Sequence, residues 1–258
     1  MKMQDTQEIV FDRKLPIAGV PVVESTPGDL AAYLLAVLEY KEKITLLFAN
    51  SNFIVKCKTL FSQTQDDSLI IVNDGVGMDI VARMLYGRGF KANLNGTDFT
   101  PFLFSESARP LCVFLYGGKS DVVRKAAIYV EQKLRQVVVG YCDGYIEIER
   151  ENLIEKINNS GADVLLVALG NPLQEEWILQ NREALHTPIV SGVGALFDFW
   201  AGDKPRAPKL IQKVRMEWLY RLCLEPRRLM RRYTVDILVF FAECYRYHKS
   251  NTDKQLKR

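Results

Sequence analysis

"LIIVNDGVGMDIVARML", residues 69–85, begins as a fully apolar run at 69–72 and passes through a polar, glycine-containing turn. It ends in a segment with helical spacing, "GMDIVARML" at 77–85. A strand apolar on both faces that runs into an amphipathic helix is the unit of a parallel sheet with helices on either side. The same unit recurs in both directions along the chain. Further β-rich runs are "ITLLFA" (44–49), "LCVFLY" (111–116), "QVVVG" (136–140), "DVLLVAL" (163–169) and "PIVSGV" (188–193). Helical segments between them include "GDLAAYLLAVLEYK", "SDVVRKAAIYVEQKL" and "EEWILQNREAL". The expected fold class is therefore α/β, a Rossmann-like parallel sheet flanked by helices, which binds ligands at its C-terminal strand ends.

Beyond Gly202 the pattern changes to cation-rich helix, interrupted by Pro205, Pro208 and Pro226. The stretch 204–233 carries ten Lys or Arg against two Glu, a charge of +8 in a chain whose total is +3, so the remainder is −5. The expected organisation is an α/β catalytic domain over 1–202 and a helical, basic C-terminal appendage over 203–258. A chain of 258 residues that is 48% apolar and 25% charged can bury a full core and is not disordered in bulk. No apolar run approaches the roughly 20 residues that cross a bilayer. The opening "MKMQDTQEIVFDRKLP" lacks the apolar centre of a secretory signal. Five cysteines without CxxC, beside two histidines, give no zinc spacing and are expected as reduced thiols in a cytoplasmic protein.

Four strand ends have chemical potential. In "NDGVG", Asp74 reads either as a helix N-cap or as a carboxylate placed to accept a proton beside a ligand. With His186 and His248 the only histidines, a carboxylate is the better source of a general base. Asp79, five residues on, reads as a surface charge. In "YGGKSD", Gly117 and Gly118 precede a helix expected to be capped by Ser120. They suit either an anion or a tight turn. This is not a Walker loop, since Val113 stands where its first glycine belongs, and no GxGxxG occurs. In "GNPLQEE", Gly170, Asn171, Gln174 and Glu175 could meet a hydroxyl-rich or heterocyclic ligand, or could merely start a helix. In "SGVGALFDFWAG", Gly192 allows close packing, and Asp198 among Phe197, Phe199 and Trp200 must find donors.

These stretches, with "NGTDF", "RAP", "EWLYRL" and "EPRRLMRRY" following in order, resemble the bacterial WecG/TagA/CpsF glycosyltransferase family from about residue 44 to about 248. The resemblance implies a metal-independent, inverting transferase. It would move a sugar (N-acetylmannosamine, its uronic acid, or glucose) from UDP to a polyprenol-pyrophosphate-linked sugar at the cytoplasmic membrane face. No cofactor is implied beyond the UDP-sugar substrate. Matched motif to motif, Asp74 takes the position of the base and Asn50 that of a polar strand-end residue near the reacting sugar. Gly117, Gly118, Gly170, Asn171, Gln174, Glu175, Gly192 and Asp198 fall in the nucleotide-sugar region. Arg221, Arg228 and Arg231 match arginines of the appendage that close over the site and meet the pyrophosphate. Phe48 stands where the family often has Thr, and Asn93 where it often has Arg; both bear on sugar identity more than on reaction class.

No DxD sequence is present, and arginines can replace a metal in holding a diphosphate. Helical spacing places Arg228, Arg231 and Arg232 near one face. Part of that face can cover a pyrophosphate while its flank meets anionic headgroups, at about 1 kcal/mol per cation near the surface. Leu238 to Phe241 would then lie in the interface or, alternatively, pack in the core. A nucleic-acid-binding module built on the basic appendage is the alternative, weakened by the acidic remainder, and a nicotinamide-dependent oxidoreductase is weaker still without a GxGxxG fingerprint. The choice of sugar, the polymer built and a homo-oligomeric state are left open.

Overall fold

The computed structural model describes residues 13–61, 66–145 and 150–256. The reading of the chain's start rests mainly on residues 1–12, which lie outside them. Eight strands form one sheet: β1 (Lys14–Ile17), β2 (Val20–Val23), β3 (Ile44–Ala49), β4 (Leu69–Asn73), β5 (Cys112–Gly117), β6 (Val137–Cys142), β7 (Val164–Ala168) and β8 (Ile189–Gly192). The order is β1-β2-β4-β3-β8-β7-β5-β6, with β1 antiparallel to β2 and each later neighbouring pair parallel. The helices are α1 (Pro27–Tyr40), α2 (Ser51–Phe61), α3 (Val76–Tyr86), α4 (Gly96–Glu106), α5 (Ser120–Gln132), α6 (Arg150–Asn159), α7 (Leu173–Asn181) and α8 (Leu196–Trp200). Beyond Gly202 follow α9 (Lys209–Lys213), α10 (Glu217–Leu224), α11 (Pro226–Tyr233) and α12 (Val235–Leu256).

Alternation along each central strand divides the core in two, because successive side chains point to opposite faces. Leu46, Phe48, Ile70 and Val72 turn to one face, where Tyr33, Leu34, Phe99, Val123 and Trp200 cover them. Leu47, Ala49, Leu69 and Ile71 turn to the other, beneath Phe53, Phe61, Met78, Ile157 and Ile178. This is the parallel, doubly covered sheet that the apolar runs predict. The hairpin β1–β2 was not among the expected strands. Its arms are four residues long, Pro16 faces Pro21 across it, and Ala18 and Gly19 turn it with both φ positive, as a two-residue hairpin loop requires.

The last helix belongs to the second face. Phe240 and Cys244 of α12 are fully buried in that core, and Ile237 and Phe241 pack against it. Lys58 of α2 pairs with Glu243, and the Tyr86 ring meets His248 edge-on at 5.3 Å. On the opposite side Leu238 is 71% exposed, with Val235 and Val239 also exposed. The apolar run near 235–241 therefore divides, half in the core and half at the surface. Among the described residues no helix is long and apolar enough to cross a membrane. Phe240→Ala should cost about 3–5 kcal/mol through the cavity left behind. A fall in the urea midpoint at unchanged slope is the expected reading. An unchanged midpoint would mean that α12 is not docked in solution.

Candidate active site

The C-terminal ends of β4, β3 and β8 open on a cavity of about 470 Å³. β3 and β8, far apart in the chain, lie side by side at the centre of the sheet, so loops from both halves converge there. Helices α10 to α12 form the opposite wall through Trp218, Arg221, Arg232, Tyr233, Ile237 and Phe241.

Asp74 follows the last residue of β4, and its N–H donates to the Ala49 carbonyl at 2.7 Å. It is not the cap of α3. Gly75 holds that position at φ 88°, and α3 has no side-chain cap. The next N–H, of Gly75, is instead taken by Asn93 Oδ1 at 2.7 Å. The Asp74 carboxylate is free for another task, and it faces the cavity. Asn50 caps α2 through Oδ1, which accepts the Phe53 N–H at 3.1 Å, and its Nδ2 donates to Asp74 Oδ2 at 3.2 Å. Burial raises the Asp74 carboxyl above the ordinary carboxylate range, and the nearby Asp98 charge adds to this. The Asn50 hydrogen bond and the charges of Arg221 and Arg232 pull against that rise. A carboxyl raised by its surroundings beside cations, in a cavity, is suited to accept a proton.

Arg221 lies over the Phe199 ring at 4.7 Å, and Arg232 Nη2 donates to Asn50 Oδ1 at 3.3 Å. Among the described residues neither guanidinium has a carboxylate within 4.0 Å. The other cations near the cavity are engaged: Lys204 with Asp198, Arg206 with Asp98, Arg215 with Asp79 and Arg228 with Glu225. Two guanidinium groups without a carboxylate at ion-pair distance, facing one cavity, have the chemistry to receive an anion.

Of the residues named from sequence, Asn50, Asp74, Asn171, Gln174, Gly192 and Arg221 line this cavity. Gly117, Gly118, Gly170, Glu175, Asp198, Arg228 and Arg231 do not. Gly117, at φ 122°, has no room for a side chain, since a Cβ would lie 2.5 Å from the Ala168 carbonyl oxygen. Ser120 does not cap α5; Lys119 holds the cap position without a side-chain bond. Asp198 finds its donor in Lys204 at 3.3 Å. Arg228 makes two bonds to Glu225, Arg231 is largely exposed near Asp236 at 3.7 Å, and Arg232 points inward, so the three do not converge. Asp79, expected at the surface, is buried, accepts the Phe90 N–H at 3.0 Å and meets Arg215 at 2.5 Å.

The "GNPLQEE" residues form a clip behind the cavity. Glu175 is buried, and its Oε1 accepts from Asn171 Nδ2 at 2.6 Å and Gln174 Nε2 at 2.7 Å. Gln174 Oε1 in turn accepts the N–H groups of Gly194 at 3.0 Å and Gly170 at 3.3 Å. Their polar groups are thus spent on holding the loops after β7 and β8. Gly192 is needed for this, because a Cβ there would lie 2.9 Å from Gln174 Nε2. The wall also includes Phe48 and Asn93, which the sequence singles out only for their bearing on sugar identity, Arg232, which it places on the arginine face, and Arg215, which it does not single out.

A model of the glycosyl transferase WecG/TagA/CpsF family matches residues 15–254. Relatives from Staphylococcus aureus strains NCTC 8325 / PS 47 and COL, both named N-acetylglucosaminyldiphosphoundecaprenol N-acetyl-beta-D-mannosaminyltransferase, are 31% identical over 128 residues. That alignment takes in 50% of this chain and 50% of each relative, so the chain spans about half the length of the curated relatives it matches. With the matched region running from the first strand of the sheet into α12, the chain belongs to the WecG/TagA/CpsF family of glycosyl transferases.

Proposed function

We propose that the protein transfers a sugar from UDP to a polyprenol-pyrophosphate-linked sugar, with inversion, in the synthesis of a bacterial surface polysaccharide. The observation that carries this reading is the pairing, in one cavity, of Asp74 with two cations free of carboxylates, Arg221 and Arg232. Asp74 takes the proton of the acceptor hydroxyl, whose oxygen attacks the anomeric carbon of the donor. The bond from that carbon to the phosphate oxygen breaks, and its electron pair leaves with UDP. Arg221 stabilises the charge that develops on the departing diphosphate. The name of the staphylococcal relatives makes N-acetylmannosamine the first donor to try, on a polyprenol-diphosphate-N-acetylglucosamine acceptor. Phe48 and Asn93 line the cavity and are the residues on which this choice of sugar would turn.

The helices beyond Gly202 act in this reading as an appendage that completes the site at a membrane surface. Leu210, 74% exposed, and Leu238 supply apolar contacts, and Lys209, Lys213, Arg227 and Arg231, exposed on the same set of helices, supply cations for anionic headgroups. Lys204, Arg206, Arg215 and Arg228 are engaged with carboxylates, which counts against an extended phosphate-binding face for nucleic acid.

Label from a UDP-sugar should reach the lipid-linked acceptor and continue to do so at an undiminished rate in excess EDTA. UDP should raise the melting temperature by several degrees at saturation, and NAD should not. Loss of turnover to chelators would overturn metal independence. Salt-sensitive RNA binding without any response to UDP would replace the transferase reading with a nucleic-acid one.

A further inference from the structure

We propose that Arg232 is a positioning residue that acts on Asp74 through Asn50, so that seating α11 on the cavity completes the general base. The inference rests on Asp74 being that base.

The geometry begins with Asn50. Its Oδ1 accepts the Phe53 N–H as the cap of α2, which settles the orientation of the amide. Turned over, the amide would set its NH2 against that N–H. Nδ2 must therefore face Asp74, where it donates to Oδ2. Arg232 Nη2 donates to the same Oδ1, from a helix 182 residues away in the chain. An amide oxygen that accepts two donors, one of them charged, makes its own N–H a stronger donor, and that N–H bonds best to an ionised carboxylate.

Arg232 differs from Arg228 and Arg231 in having no carboxylate partner; besides Asn50 its guanidinium lies over the Tyr233 ring at 5.6 Å. Arg228 holds Glu225 and Arg231 lies near Asp236, whereas Arg232 has no carboxylate among the described residues. Its Nε is buried and has no hydrogen-bond partner, so the contact to Asn50 is made through Nη2 alone. The other groups that face Asp74 are Arg221 from α10 and Asp98 from α4. Arg206 offsets Asp98, and Arg215 is held by Asp79, so Arg221 and Arg232 are the cations left to favour the ionised base. Both come from helices beyond Gly202, while Asn50 and Asp74 stand just past the ends of β3 and β4. Lifting those helices removes the charge and one of the two donors on Asn50 together.

The test uses the full chain, with Arg232→Gln and Arg232→Lys. The Asp74 carboxyl is titrated by carbon NMR, in parallel with the pH profile of kcat/KM. In Arg232→Gln the Asp74 titration should move to higher pH, with the acid limb of the rate profile following it. The loss of rate is then several-fold greater at the acid end than on the alkaline plateau, and Arg232→Lys should recover part of the shift. An Asp74 titration that stays in place in a folded Arg232→Gln protein overturns the inference, whatever happens to the rate. If the titration moves and the rate profile does not follow, the link between Arg232 and Asp74 stands, and the assignment of Asp74 as base fails.

Discussion

Asp74→Asn should lower kcat by about 10²–10⁴-fold, the span that a positioned general base contributes, without unfolding the protein. The amide keeps the shape of the carboxylate and can still accept from Asn50 Nδ2, so the cavity is preserved while the proton acceptor is lost. The stability of the variant makes the test sharper. Burial holds the folded Asp74 carboxyl above its unfolded value. A group shifted upward in this way stabilises the fold below the unfolded pKa, and that contribution is lost as pH rises through the folded pKa. Above the folded pKa the ionised carboxylate is therefore a cost to the fold. Asp74→Asn should then melt no lower than wild type, and higher as the pH is raised above the Asp74 pKa. Rate and stability should move in opposite directions, as expected of a group kept for chemistry. In the wild type, kcat/KM should rise with pH through the Asp74 pKa, and in the variant that limb should vanish. Wild-type turnover by Asp74→Asn would remove Asp74 as the base.

The central sheet is legible in the sequence because parallel strands buried on both faces read as unbroken apolar runs. "ITLLFA" coincides with β3, and the ends of β4 and β7 fall within a residue or two of expectation. The β1–β2 hairpin is not legible, since four-residue arms with a proline in each carry too little pattern. Asp74 could be picked out because a strand end is a local feature. Asp79 could not, because its partner Arg215 lies 136 residues further on and only the packed fold brings the two together. The appendage arginines show the same limit. Neighbours on a helix point about 100° apart, so whether Arg231 or Arg232 enters the cavity depends on the rotation of α11. Burial of Leu229 sets that rotation and turns Arg232 inward. The glycines at 117 and 118 carried a reading as an anion site. At Gly117 a structural need, the approach of the Ala168 carbonyl, accounts for the residue.

Arg221→Ala should lower kcat by about 10²–10³-fold, some 2.7–4 kcal/mol of transition-state stabilisation, if it is the cation that receives the departing diphosphate. The loss should fall on kcat more than on KM, because charge on the bridging oxygen develops as the bond breaks. Phe199 lies under the guanidinium at 4.7 Å and holds it facing the cavity. Arg221→Lys should therefore recover only a minority of the rate, since an ammonium keeps the charge but loses the planar fork. Deleting everything after Gly202 would not isolate this effect. It would also strip Phe240 and Cys244 from the second core and expose α2 and α3, so inactivity would report a damaged fold. The single substitution avoids that, because Arg221 has no ion pair among the described residues and lies outside the second core. Arg221 also lowers the Asp74 pKa, so its removal shifts the acid limb upward, and the comparison belongs on the alkaline plateau, where the base is ionised in both proteins. A full-rate plateau in Arg221→Ala would place the leaving-group cation elsewhere in the cavity. Arg232 would then be the next residue to replace.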